Sequence, residues 1–362
     1  MQRAVVLGVL LSASVASAGT ISQPILGGTK ATVGQYPTVV AIDLGGALCT
    51  GTLIDPEWVL TAAHCVQGQN PSRIKVHFNT VNISQSAGTV VNAAMAIAKP
   101  TFDEQNLGSD DIGLIKLATP VTDVRPVPVN LTAASAPIGI KVTMVGYGAT
   151  AQGGGGSVGV EYVVEQTSVA CSSLAGKDAD LLCFNQVSGK GKCQGDSGGP
   201  SFAMINGQLT QVGVTSFGDQ NCAQFGADTR TDAERAFLLQ YIPQLECSSD
   251  ADCPDGRMCF NMRCIAQPFS PTGLGSECGG DADCESTTCA MSEGGNYCSM
   301  GCTVGADEAC PAGLDCLDIG GGVGTCWPQS DETGCCDASG QGAPTMLLGI
   351  ALVGLVWRRK RR

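Results

Sequence analysis

The stretch that decides the fold runs from Lys190 to Pro200 and reads KGKCQGDSGGP. In it, Ser197 directly follows an acid, Asp196, and directly precedes two glycines. A serine in a glycine-rich turn is usually only a turn residue. A serine hydroxyl is also a weak nucleophile, which acts in catalysis only beside a base that a third group orients. The rest of the chain therefore decides whether Ser197 is more than a turn residue.

The composition indicates an exported protein of two or three units. The chain has 362 residues and 20 cysteines, and so many cysteines are typical of an oxidising compartment. The N-terminus, MQRAVVLGVLLSASVASAGT, has a basic residue, an apolar stretch and a small-x-small site. We predict that residues 1–18 are a removed signal peptide. An N-terminal membrane anchor is the alternative, but the apolar stretch is short and contains serines.

The negative charge is concentrated in one region. The net charge is −13, and residues 246–337 contain 16 acidic and only 2 basic residues. Such a surface repels nucleic acid, whose binding depends on lysine and arginine. We therefore expect no nucleic-acid partner.

Residues 25–245 predict an all-β fold. Short β-type runs such as PTVVAIDL, WVLTAA, IKVHF and KVTMVGYG are separated by Gly, Asn, Asp and Pro clusters. This pattern is typical of an antiparallel barrel or sandwich. A helix is predicted in DAERAFLLQYIPQL, where Pro243 ends it. The glycine-rich AQGGGGSVG is predicted as a loop within the domain, because strand patterning resumes after it.

A disulfide-rich region is predicted over residues 246–328, where 12 cysteines occur with few large apolar residues. Such a segment needs disulfides because it buries little apolar surface. We interpret it as two modules, 247–264 and 278–326, with pairings that the sequence leaves open. Zinc and calcium sites are disfavoured by the absence of histidine and of EF-hand spacing. We expect no metal and no cofactor, although the modules could carry a surface ligand.

Residues 329–362 form a predicted tail. A cysteine pair at 335–336 is followed by a spacer, an apolar run from Met346 to Trp357 and the basic RRKRR. The run is shorter than the ~17–25 residues of a spanning helix, and the basic cluster favours the cytoplasmic side. In order of parts the tail resembles the C-terminal sorting signals of myxobacterial surface proteins. The resemblance implies at least transient membrane contact and a product at the cell surface or outside the cell.

The candidate base is His64, in WVLTAAHC, because the chain has only two histidines and His77, in IKVHF, has the position of a surface or half-buried strand residue. The orienting acid should lie at the edge of an apolar strand. SDDIGLIKL offers Asp110 and Asp111, each of which could instead be a solvated turn residue.

The ordered motifs ILGG, TAAHC, DIGLIKL and GDSGGP resemble the trypsin and chymotrypsin family of serine proteases, as do CTGTLI, VGYGAT and VTSFG. The resemblance implies a double antiparallel β-barrel of the chymotrypsin type over residues 25–245, and a serine endopeptidase that acts on protein or peptide substrates. It makes His64 the general base, Asp111 its orienting partner and Ser197 the nucleophile. The amides of Gly195 and Ser197 would form the oxyanion hole.

The resemblance also implies a zymogen with residues 19–24 as the activation peptide. Cleavage before Ile25 would free an α-amino group that pairs with Asp196 in a buried place. The family is usually cut after Arg or Lys, whereas this chain has Pro24 there. The activating protease is therefore an unknown partner.

The family pattern assigns three disulfides, Cys49 with Cys65, Cys171 with Cys183, and Cys193 with Cys222. It also places Gly191, Lys192, Ser216, Gly218 and Gly226 at the substrate pocket. Gly191 stands where trypsin-like members have Asp, so a preference for Arg or Lys is not expected. If Lys192 points into the pocket, an acidic residue before the scissile bond is favoured; if it reaches solvent, a large apolar one is.

Two other functions compete with the peptidase. One is a non-catalytic binding protein with the protease fold, although no member of the triad is missing from this sequence. The other is an adhesin in which the cysteine-rich modules carry the main activity.

Overall fold

The computed structural model describes residues 25–329, apart from short internal gaps. The predicted signal peptide, activation peptide and apolar tail run lie outside the described residues. The gaps are 86–87, 107–109, 134–137, 172–179, 206–207, 248, 254–255, 261–262, 287, 293–294 and 307–308.

The regular secondary structure of the described residues consists mostly of strands. Its helices in the described part of the chain are two short α-helices, α1 (Ala63–Val66) and α2 (Arg235–Tyr241), and a few 3₁₀ turns. The strands are β1 (Thr29–Lys30), β2 (Val39–Asp43), β3 (Leu48–Asp55), β4 (Trp58–Thr61), β5 (Lys75–Phe78), β6 (Thr89–Ala98), β7 (Gly113–Leu117), β8 (Lys141–Gly146), β9 (Tyr162–Thr167), β10 (Leu181–Asn185), β11 (Pro200–Ile205), β12 (Gln208–Gly218), β13 (Phe225–Arg230), β14 (Met258–Phe260), β15 (Arg263–Ile265), β16 (Cys289–Ser292), β17 (Gly295–Cys298), β18 (Gly301–Thr303), β19 (Leu314–Gly320) and β20 (Val323–Pro328).

The first structural unit is a closed six-stranded barrel in the order β2-β3-β4-β7-β6-β5. Its strands are rich in Val, Ile and Leu. The side chains that face inward, such as those of Val40, Leu60 and Leu114, are fully buried. Every pairing in it is antiparallel. Closure leaves no free sheet edge, which makes the barrel a rigid support for the turns at its ends.

The second unit is a seven-stranded antiparallel half-barrel in the order β1-β9-β8-β11-β12-β13-β10. The loop with AQGGGGSVG joins β8 to β9, which pair along their whole length, so it is a loop within one sheet. Helix α2 packs Phe237 and Leu238 into the core and ends before Pro243. The expectation of an all-β fold of the chymotrypsin type is confirmed.

The cysteine-rich region consists of three small sheets, β14-β15, β16-β17 and β18-β20-β19. Its disulfides fall into three self-contained sets, and two of these sets lie within the span 278–326. The pairs are Cys247–Cys259 and Cys253–Cys264, Cys278–Cys289 and Cys284–Cys298, and Cys302–Cys316 and Cys310–Cys326. Few apolar residues are buried here, which fits a fold held by disulfides.

Among the described residues, no helix has both the length and the apolar character needed to cross a membrane.

Candidate active site

His64 lies where the barrel strand β4 turns into the short helix α1. The apolar WVLT segment buries all four residues of β4, and the chain then turns at Ala62. The disulfide between Cys65 and Cys49 ties this turn to β3. The imidazole is left with 27% of its side chain exposed, so a substrate can reach it.

Asp111 is fully buried and holds the imidazole of His64. Its Oδ2 lies 2.8 Å from His64 Nδ1 and its Oδ1 accepts the backbone N–H of His64 at 3.0 Å. Ser216 Oγ donates to the same Oδ2 at 2.6 Å. A carboxylate can only accept from Nδ1, so Nδ1 carries the proton and Nε2 is left as the proton acceptor. This is the arrangement that a general base requires.

The neighbouring acid, Asp110, pairs with a lysine instead of with His64. It receives Lys99 Nζ at 2.5 Å, and Lys99 also bonds Glu234 at 2.6 Å. Of the two adjacent acids, the one that meets His64 is Asp111. The other histidine, His77, is half-buried in β5 as expected, where it pairs with Ala41 of β2; burial lowers its pKa.

The turn that carries Ser197 packs directly against the residues that precede His64. Thr50 N donates to Ser197 O at 2.8 Å. A Cβ added to Gly198 would lie 2.0 Å from Thr61 Oγ1 and 2.8 Å from Ala62 N. Gly198 also has a φ of +80°, so only glycine fits both the turn and its close contact with Thr61 and Ala62. The structure thus brings the loops of Ser197 and His64 into contact.

The backbone amides of Gly195 and Ser197 are without a hydrogen-bond acceptor among the described residues. Gly195 has a φ of +96°, and a Cβ there would lie 2.8 Å from Gly148 Cα. Its carbonyl accepts Thr50 Oγ1 at 2.9 Å. Within the described parts of the chain, neither amide donates to another group. Two such donors can receive an oxyanion.

Asp196, between these two residues, points inward. It is 1% exposed, and its carboxylate accepts the backbone N–H of Gly148 at 2.8 Å and of Cys193 at 2.9 Å. Burial raises its pKa to about 6, against the opposing effects of the two amides and of the Lys192 charge. Among the described residues no cation lies within ion-pair distance of it. Ile25 is 1% exposed, in the apolar cluster of the half-barrel.

A cavity of about 210 Å³ opens beside Ser197. Of the five residues expected at the substrate pocket, Lys192, Ser216, Gly218 and Gly226 line it, and Gly191 does not. The reason is Gln186, which the sequence analysis did not identify. A Cβ at Gly191 would lie 2.0 Å from Gln186 Oε1, and one at Gly226 2.7 Å from it. The carboxamide of Gln186 therefore occupies the space under both glycines.

Lys192 does not reach solvent, which corrects one of the two readings of its side chain. Its Nζ bonds both carboxylate oxygens of Asp228, at 2.7 and 2.8 Å, and Ser201 Oγ at 2.9 Å. Burial lowers the pKa of Lys192, and the charge and hydrogen bonds of Asp228 oppose this effect. Asp228 supplies the counter-charge that the buried ammonium group of Lys192 requires. Asp228, an acid inside the largely buried strand β13, was the signal in the sequence.

The six cysteines of this region form three disulfides around the site, with the pairing that the family resemblance implies. The pairs are Cys49–Cys65, Cys171–Cys183 and Cys193–Cys222. The last joins the segment before Ser197 to the loop after Ser216, so it fixes two walls of the cavity.

Comparison with known proteins agrees with this geometry. The Trypsin family model matches residues 25–233. Serine protease SP24D of Anopheles gambiae is 35% identical over 213 residues, which are 56% of this chain and 75% of that protein. Trypsin of Sus scrofa is 34% identical over 209 residues, 55% of this chain and 86% of that protein. Brachyurin of Leptuca pugilator is 32% identical over 208 residues, which are 54% of this chain and 86% of that protein.

Proposed function

The chain belongs to the trypsin family of serine proteases, and on this premise we propose that it is an exported endopeptidase whose catalytic groups are His64, Asp111 and Ser197. The observation that carries the proposal is the 2.8 Å contact between His64 Nδ1 and Asp111 Oδ2, beside the turn of Ser197. Peptide bonds of protein substrates are the expected target.

In the proposed mechanism, Ser197 Oγ attacks the carbonyl carbon of the scissile bond while His64 Nε2 takes the hydroxyl proton. The tetrahedral intermediate collapses, His64 gives that proton to the departing amine, and an ester with Ser197 remains. Water, deprotonated by His64, then attacks the ester, and the proton returns to Ser197 as the acid product leaves. Asp111 keeps Nδ1 protonated and stabilises the imidazolium in both halves.

The amides of Gly195 and Ser197 are proposed to bind the negative oxygen of each tetrahedral intermediate. Their freedom from other partners in the described structure supports this role. Because the two donors are fixed by the backbone of the turn, they need little reorganisation when charge develops. Such a donor is commonly worth ~100-fold or more in rate.

We propose that the enzyme is made as a zymogen and that the α-amino group of Ile25 pairs with Asp196 after cleavage. The support is that Asp196 is a buried carboxylate with two amide donors and no described counter-ion. An ammonium group would relieve the cost of ionising it. The activating protease would have to cut after Pro24.

The proposed preference is for a large apolar residue before the scissile bond. The carboxamide of Gln186, rather than a carboxylate, lies under Gly191 and Gly226. The ammonium of Lys192 is already neutralised by Asp228, so it offers little attraction to an acidic substrate residue. A basic residue also finds no counter-charge under Gly226, where the carboxamide of Gln186 lies.

Export, and display at the cell surface or release outside the cell, complete the proposal. The nine disulfides of the described residues support an oxidising compartment. Mass analysis of both termini of the protein isolated from its source tests removal of residues 1–18, cleavage before Ile25 and processing near Cys335 together. An intact N-terminus on active enzyme would contradict the zymogen proposal.

The peptidase proposal is tested with protein that begins at Ile25 and a panel of peptides that differ only in the residue before the scissile bond. We expect cleavage after Phe or Leu, much weaker cleavage after Glu and least after Arg. Ser197→Ala should abolish cleavage, whereas Ser84→Ala, at an exposed serine, should not change it. Activity that survives Ser197→Ala would overturn the proposal, and efficient cleavage after Arg would overturn the preference.

A further inference from the structure

A second cavity, of about 260 Å³, lies where the protease domain meets the cysteine-rich region. Three arginines line it: Arg125 from the segment between β7 and β8, Arg257 just before β14, and Arg263 in β15. We name it the arginine cavity. None of its lining residues belongs to the cavity beside Ser197, so it is a separate feature.

The arginines are placed against the charge pattern of their region. Residues 246–337 contain 16 acidic and 2 basic residues, and the 2 basic ones are Arg257 and Arg263. Both line the same cavity, together with a third arginine contributed by the protease domain. The acidic region therefore places both of its basic residues at one cavity.

Of the three guanidinium groups, only that of Arg257 is paired with a carboxylate of the described residues. Arg257 pairs with Glu285 and also donates to Cys264 O. Within the described residues, neither Arg125 nor Arg263 has a carboxylate within ion-pair distance. Arg263 donates to the neutral Gln208 Oε1 at 3.3 Å.

The other acid of the cavity, Asp55, is already engaged. Its Oδ1 accepts the backbone N–H of Glu57 at 3.0 Å and its Oδ2 accepts Gln244 Nε2 at 2.9 Å. It therefore gives little compensation to the two unpaired guanidinium groups.

The unpaired arginines have an energetic cost in this state. Burial lowers the pKa of both Arg125 and Arg263. At Arg125 the charge of Glu285 opposes this effect and the charge of Arg257 adds to it. An arginine nevertheless keeps its proton in a protein, so the cost is not relieved by deprotonation. A bound anion relieves it, and guanidinium groups bind carboxylate and phosphate oxygens through paired N–H donors.

We propose that the arginine cavity binds a small oxyanion, the carboxylate or phosphate group of a small molecule, between Arg125 and Arg263. The volume is just below the ~300–1,000 Å³ of ordinary ligand pockets, which fits a compact anion. Because Arg125 and Arg263 come from different regions, the anion ties the protease domain to the cysteine-rich region. Its occupancy therefore stabilises the full chain against unfolding.

The test is calorimetric titration of the full chain, in the Ser197→Ala form to prevent self-digestion, with inorganic phosphate and with citrate at constant ionic strength. Saturable binding at one site is expected. Arg125→Gln and Arg263→Gln should each weaken it by about tenfold or more, whereas Arg73→Gln, at an exposed arginine of the barrel, should leave it unchanged. Tighter binding of phosphate or of citrate identifies which of the two anion types the cavity prefers.

Glu285→Gln provides a variant whose effect cannot come from misfolding. It frees Arg257 from its carboxylate and should tighten anion binding by about threefold or more. The proposal is overturned if neither anion gives saturable binding, if Arg73→Gln weakens binding as much as the cavity variants, or if Glu285→Gln leaves the affinity unchanged. None of these results depends on peptidase activity.

Discussion

Asp111 Oδ2 accepts two hydrogen bonds at once, from His64 Nδ1 at 2.8 Å and from Ser216 Oγ at 2.6 Å. Ser216 belongs to strand β12 of the half-barrel, whereas His64 follows strand β4 of the six-stranded barrel. Both units therefore help to position the carboxylate of Asp111. Ser216 was expected only as a pocket residue.

Asp111→Asn should lower kcat by about 10⁴-fold, because an amide group at this position favours the wrong imidazole tautomer. Ser216→Ala should cost far less, about tenfold, since the backbone N–H of His64 still holds Asp111. Steady-state kinetics on an apolar peptide measures both. Asp110→Asn is the matched control and should leave kcat within about threefold; equal losses at Asp110 and Asp111 would contradict the assignment.

The buried pair of Lys192 and Asp228 should be costly to break on one side only. Lys192→Met or Asp228→Leu alone should lower the free energy of unfolding by about 3–5 kcal/mol, because each leaves an unpaired buried charge. The double variant should recover most of this loss. Denaturant unfolding in a Ser197→Ala background measures the four proteins, and additive losses would show that the two side chains do not act as a pair.

Gly191→Asp should not create a trypsin-like enzyme. A Cβ at this position would lie 2.0 Å from Gln186 Oε1, and the φ of +146° is strained for any other residue. We expect a less stable protein, by about 1–3 kcal/mol, that still fails to cleave after Arg. Peptide kinetics and unfolding measure the two effects; a stable variant with efficient cleavage after Arg would contradict the role given to Gln186.

Glu161 should make the protein less stable as the pH rises. It is 3% exposed and its Oε1 has no partner among the described residues. Burial raises its pKa from 4.5 to about 8. Because the folded state binds this proton more tightly than the unfolded state, stability is fully present below about pH 4.5 and is lost as the pH rises through about 8.

Glu161→Gln removes this dependence and should be more stable than the parent by roughly 3 kcal/mol at pH 7 but about equal to it at pH 4. Glu165→Gln, at an exposed glutamate, should follow the parent at both values. Denaturant unfolding at pH 4 and 7, again with Ser197→Ala, measures the difference. Parallel pH curves for Glu161→Gln and its parent would contradict the prediction.

The sequence predicted those features that depend on local pattern. The runs around Val59 and Val76 alternate with turn residues, and this is enough to predict the strands of the barrel. The sequence did not predict contacts between residues far apart in the chain, such as the ion pair of Lys192 with Asp228 or the position of Gln186 under Gly226. These depend on how β10, β12 and β13 lie side by side, which no single stretch specifies.

The cysteine-rich region illustrates the same limit. Its stabilisation by disulfides follows from composition, but the pairing depends on which hairpins form. Thus Cys284 pairs with Cys298 across the β16-β17 hairpin, and Cys302 begins a new set.

The central claim, that Ser197 is a nucleophile activated by His64, is tested most directly by reaction with a fluorophosphonate followed by peptide mass mapping. The account predicts one adduct per molecule, located on Ser197, and its loss in His64→Ala, in which the serine is still present. No adduct on correctly folded protein cleaved before Ile25, or an adduct on another residue, would contradict it.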